Sequence, residues 1–80
     1  MDIELIREYL TELIEEFRDY VIDDYLQGNL KSTECNRIKN KLNNLLEQIY
    51  NEGNKEKDYH ELLGYIRGFR YMYITVREDF

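Results

Sequence analysis

An all-α fold is predicted for this chain: a three-helix bundle, or a long helical hairpin with a third helix beside it. Three observations predict it. Apolar residues recur every three or four positions along three segments, the spacing of one helix face. Each segment begins near a residue able to cap it, and the first two end at glycine. The connections, at 28–32 and 53–58, are short, which favours antiparallel neighbours. No repeat, low-complexity stretch or second unit interrupts residues 1–80, so a single helical domain is expected.

The first helix is expected over Ile3–Gln27. Asp2 can cap it, early carboxylates suit its positive end, and Gly28-Asn29 can stop it. Its apolar side carries Ile3, Ile6, Leu10, Leu13, Phe17 and Val21. Asp24 projects toward that side near the helix end. A buried carboxylate needs a partner, which Arg77 or Lys31 could supply; with neither, Asp24 would lie at an interface.

The second helix is expected over Thr33–Glu52, with Ser32 as its cap, Glu34 in the first turn and Gly53 at its end. Cys35, Ile38, Leu42, Leu45, Leu46 and Ile49 form its stripe. The third is expected over Tyr59–Arg77, opened by a capping box of Asp58 and Glu61. Its inner stripe is Leu62, Ile66, Phe69, Tyr73 and Val76. Tyr71–Val76 also reads as a strand, but the stripe keeps helical spacing through Val76, which decides for helix.

The chain has 17 acidic and 11 basic residues and a formal net charge of −6, which argues against wrapping duplex DNA or binding anionic lipid. No apolar run approaches the ~18 residues that cross a bilayer, and the first residues are acidic where a signal peptide would be basic. One cysteine permits no internal disulfide; Cys35 lies on an apolar face and is expected to be a small buried hydrophobe. A free thiol suits a reducing compartment, so the bacterial cytoplasm, or a host cytoplasm for a phage protein, is expected. Alanine, proline and tryptophan are absent, and Ile, Asn, Tyr and Lys abound. That bias points to an AT-rich genome, a low-GC bacterium or one of its phages.

Nine of the acidic residues fall within the first 24 positions, against only Arg7 and Arg18. On a helix, Glu4, Glu8, Glu12, Glu15, Asp19 and Asp23 share one side, opposite the apolar stripe. Successive carboxylates then stand about 6 Å apart along the axis, a spacing comparable with that of phosphates on a DNA strand. Such a row can enter a groove built for nucleic acid. The alternative is a solvated face, partly neutralised by Arg37, Lys39 and Lys41 on the second helix.

On the third helix, Gly64 and Gly68 share a face with Tyr71 and Thr75, away from the apolar stripe. Each mid-helix glycine costs about 1 kcal/mol relative to alanine, so two on one face suggest a closely packed neighbour. The neighbour could be the first helix, a twin or a foreign helix. The membrane meaning of GxxxG does not transfer, because Arg67 and Arg70 interrupt the segment. Tyrosine and arginine dominate binding interfaces, and Tyr71 is the candidate exposed anchor.

Catalysis, metals and cofactors are not expected. His60-Glu61-Leu62-Leu63-Gly64 begins like a zinc-protease helix but has glycine where the second histidine must stand. Glu12, Glu15 and Glu16 resemble part of a di-iron set, which also needs two inward histidines; the chain has one histidine.

In size, charge and codon bias the chain resembles small acidic inhibitors from phages and mobile elements, such as anti-CRISPR and anti-restriction proteins. That resemblance implies a non-enzymatic inhibitor that occupies the basic nucleic-acid-binding surface of a larger protein. Glu4, Glu8, Glu12, Glu15, Asp19 and Asp23 would carry the charge, and Tyr71 would anchor. The alternatives are a structural or regulatory homodimer through the Gly64, Gly68, Tyr71 and Thr75 face, and a helical DNA-binding module. The last would use Arg37, Lys39, Lys41 and asparagines of the second helix, yet no helix-turn-helix signature surrounds Gly28 or Gly53.

Overall fold

Three helices form in the computed structural model: α1 over Ile3–Leu26, α2 over Ser32–Ile49 and α3 over Glu56–Glu78. The structure describes the backbone of residues 2–78 and the side chains of residues 2–75. Among them no strand occurs, so the fold is an all-α three-helix bundle. Val76, expected on the inner stripe, and Arg77, expected near Asp24, have side chains outside the described residues.

Local chemistry explains most of the boundaries. Asp2 caps α1 by accepting the Glu4 N–H at 3.0 Å. At the other end Gly28 adopts φ 83°, which glycine reaches without strain. The Asn29 N–H then reaches the Asp24 carbonyl at 2.9 Å, and the Gly28 N–H reaches the Tyr25 carbonyl at 3.0 Å. This pair of bonds is a Schellman motif, and it satisfies carbonyls the helix leaves open.

Two expected caps are corrected. Ser32 is the first residue of α2, and the capping position falls to Lys31, whose side chain makes no cap bond. Asp58 lies inside α3, which starts three residues earlier than its expected cap implied. The Asp58 carboxylate instead accepts the Lys55 N–H at 2.7 Å, the returning half of a capping box set by Lys55 rather than by Asp58. α2 also stops at Ile49, short of Glu52, because asparagines take over the chain there. Asn51 Oδ1 accepts the Gly53 N–H at 3.0 Å, and the Asn54 amide donates to the Gln48 carbonyl at 2.6 Å.

The buried core is Leu10, Ile14, Phe17 and Val21 of α1, Cys35, Leu42, Leu45 and Ile49 of α2, and Tyr59 and Ile66 of α3. α1 packs along both other helices, whereas α2 and α3 meet only sparingly. The stripe expected on α1 is rotated slightly. Ile3 is 45% exposed, while Ile14, left out of that stripe, is fully buried. Phe17 holds α1 to α3 through tilted ring contacts with Phe69 at 5.3 Å and Tyr73 at 5.5 Å.

Asp24 is buried, and the Tyr73 hydroxyl donates to its Oδ2 at 2.5 Å. It therefore does not sit exposed at an interface. A phenol from the third helix supplies a donor, so the bond ties the end of α1 to α3.

Candidate functional site

The outer face of α1 follows from helix geometry. At 100° per residue the buried side and the acidic row point nearly opposite ways. Glu4, Glu8, Glu12, Glu15, Asp19 and Asp23 are all exposed. The row runs for about 28 Å at one carboxylate per ~6 Å, which corrects the expected match to phosphate spacing: it is roughly half the axial charge density of one B-DNA strand. Only Asp23 has a side-chain partner among the described residues, and a neutral one: its Oδ2 accepts from the Gln27 amide at 3.1 Å.

Four of the cations are engaged away from the row. Arg7 donates through Nε to the Tyr59 hydroxyl at 2.9 Å and lies 6.0 Å from the Tyr50 ring centre. Arg18 donates to Asn43 Oδ1 at 3.1 Å, and Arg67 to the Tyr9 hydroxyl at 3.3 Å. The Lys41 ammonium sits 5.3 Å from the Phe69 ring centre. Among the described residues the one close pairing of opposite ionisable groups is His60 with Glu56, at 3.6 Å on the exposed start of α3. The expected neutralisation of the row by Arg37, Lys39 and Lys41 is therefore corrected: none of them pairs with it.

The face is not purely ionic. Leu5, seven residues before Glu12, is 64% exposed, and Leu26, seven after Asp19, is 73% exposed. Both share the row's azimuth. Tyr9 and Tyr20, also exposed, flank it on the α3 side. Sequence reasoning passed over these four. The signal was present, since the same wheel that collects the acids collects Leu5 and Leu26.

The glycine face of α3 is open. Gly64, Gly68, Tyr71 and Thr75 are all exposed, and Tyr71 is 72% exposed. A Cβ built on Gly64 or Gly68 would meet nothing within 4 Å. The expectation that α1 could pack here is corrected, because α1 meets α3 through Ile66, Phe69 and Tyr73 on its other side. Tyr71 and the acidic row belong to different faces and do not form one continuous site.

Among the described residues no group of three or more His, Cys, Asp or Glu is arranged to hold a metal ion. Cys35 is buried, and His60 stands exposed at the start of α3 with Glu56. No described helix is long and apolar enough to cross a membrane. Comparison with family models, with curated proteins and with solved structures finds no match to this chain.

Proposed function

We propose that the protein is a non-enzymatic inhibitor of the anti-CRISPR or anti-restriction kind. Its acidic α1 face docks on the basic, nucleic-acid-binding surface of a larger protein. The observation that carries this reading is the disposition of charge. Six carboxylates stand in a row in solvent while Arg7, Arg18, Arg67 and Lys41 are committed to phenols, amides and rings. An internally matched surface would offer little field to a partner. This one leaves its own unscreened, able to steer encounter with a basic cleft. Leu5 and Leu26 add apolar area at the two ends of the row, which ionic contact alone lacks.

The test is capture of bound proteins by the wild-type chain and by a Glu8→Lys, Glu12→Lys, Glu15→Lys variant, across a salt gradient. The wild type is expected to retain nucleic-acid-binding proteins and to lose about tenfold in affinity as the Debye length shrinks from ~10 Å at 0.1 M to ~3 Å at 1 M. The variant is expected to lose them at low salt. Retention of the same proteins by both, or affinity indifferent to salt, defeats the reading.

A second reading, homodimerisation through Gly64, Gly68, Tyr71 and Thr75, is favoured by the open glycine face. Light scattering at micromolar concentration tests it. A monomer at every concentration rejects it.

A further inference from the structure

We propose that the seam between α2 and α3 is a second docking surface, one that takes an amphipathic helix bearing carboxylates from a partner protein. α1 faces both other helices, so the seam lies on the side of the bundle away from the acidic row. α2 and α3 meet only sparingly there, and two cavities open along the seam on either side of Lys41. The one toward the start of α2 measures about 910 Å³ and the other about 680 Å³.

The lining states the occupant's chemistry. Leu30, Ile38, Phe69 and Met72 give the larger cavity an apolar floor. Among the described residues, Lys31, Arg37 and Lys41 stand on its walls against one acid, Glu34, in a chain whose net charge is −6. The first turn of α2 adds to this sign, since Lys31 makes no side-chain cap bond to its free N–H groups. The polarity reverses along the seam, where Asp58 and Glu61 line the smaller cavity beside Lys41.

Length and shape select a helix over a small amphiphile. From Lys31 to Asn51 the trough follows α2 for about 30 Å, the span of a 20-residue helix. A rod laid between two antiparallel helices completes a four-helix bundle, the arrangement that buries such a seam. Its leucine-type stripe would cover Phe69 and Met72. Its carboxylates, on the flank beside that stripe, would meet Lys31, Arg37 and Lys41. The outer face of α1 in a second copy offers only Leu5 and Leu26 at the two ends of its carboxylate row, not a continuous apolar stripe, because the stripe of α1 is in the core.

The probe is a labelled synthetic helix of about 18 residues, with a leucine stripe and glutamates on one flank, titrated into the full chain by fluorescence anisotropy. A matched peptide with lysine in place of glutamate is the control. The glutamate peptide is expected to bind and the lysine peptide not. Arg37→Glu with Lys41→Glu is expected to weaken binding by roughly tenfold. Arg37 is exposed, so Arg37→Glu alone carries the test should loss of the Lys41–Phe69 contact disturb folding. The α1 variant Glu8→Lys, Glu12→Lys, Glu15→Lys is expected to bind the peptide unchanged, which separates this surface from the acidic one. Equal binding of both peptides, or binding indifferent to the α2 reversals, overturns the proposal. So does dodecanoate binding without peptide binding, or a dimer in sedimentation that Met72→Arg abolishes.

Discussion

Replacing Ile14 by alanine separates two accounts of how α1 meets the core. The stripe expected from the sequence is Ile3, Ile6, Leu10, Leu13, Phe17 and Val21, without Ile14. The structure puts Ile14 at 0% exposure, inside the cluster with Leu10 and Phe17, and leaves Ile3 45% exposed. Ile14→Ala removes three carbons and leaves a cavity, which costs about 2–5 kcal/mol. A chain of this length has about 4–12 kcal/mol of stability in total, so the loss is a large share. The unfolding entropy of such a domain is about 0.17 kcal/mol/K, which converts a 3 kcal/mol loss into a Tm lower by roughly 18 °C. Ile3→Ala is expected to cost under ~1 kcal/mol, because much of that side chain is already wet. Urea denaturation followed by circular dichroism measures both. Ile14→Val, expected at about 0.5–1.5 kcal/mol, keeps the comparison alive if the alanine variant fails to fold. An Ile14→Ala loss within 0.5 kcal/mol of zero (a ~0.5 kcal/mol threshold is the usual spread for surface changes), or equal losses at both sites, refutes the assignment.

Two further changes probe α3. Tyr73→Phe keeps the ring contacts with Phe17 and Tyr20 but removes the hydroxyl that donates to buried Asp24, so it is expected to cost about 1.5–3 kcal/mol in urea denaturation. An unchanged midpoint would show that the carboxylate does not depend on that bond. Gly64→Ala and Gly68→Ala are expected to stabilise the monomer by about 1 kcal/mol each, since open space surrounds both positions in mid-helix. A lower Tm with either alanine would mean that something packs closely on that face after all.

The helices themselves were legible because their information is local. Apolar spacing, Asp2 before the first turn and Gly28 after the last each act within a few residues. What stayed illegible depends on which parts of the chain face one another. Tyr59 reads as the start of a helix, yet it is fully buried, with its hydroxyl bound by Arg7 from 52 positions away. The rotation of the α1 stripe toward Ile14 reflects two neighbours rather than one, since a helix that packs on both sides buries a wider arc than its best heptad suggests. Asp24 was recognisable as misplaced for a solvated residue. Its phenolic donor was not, because a charged partner is the usual answer to a buried carboxylate and Tyr73 belongs to an apolar stripe.

The candidate surfaces follow the same division. The acidic row was readable because six side chains of one helix share an azimuth whatever that helix packs against. Its freedom from internal cations was not, since that depends on where the arginines of all three helices fall. Arg18 sits on α1 itself, yet it turns to Asn43; Arg67 crosses from α3 and stops at Tyr9. Both choose neutral oxygens close to the acidic side. Long cationic side chains near carboxylates would ordinarily reduce the field by pairing with them, at a gain of at most about 1 kcal/mol per exposed pair. Here Arg18 and Arg67 are each tethered instead by a neutral hydrogen bond at the margin of the row, which leaves the carboxylates uncompensated. The seam between α2 and α3 shows the complementary outcome. Lys31, Arg37 and Lys41 gather there without the acids of α1 to meet them. The molecule therefore sorts its charge by side rather than cancelling it, negative along α1 and positive at the start of α2. A protein with one sign on each flank can hold two unlike partners at once, and reversing charge on one flank should leave the other's binding intact.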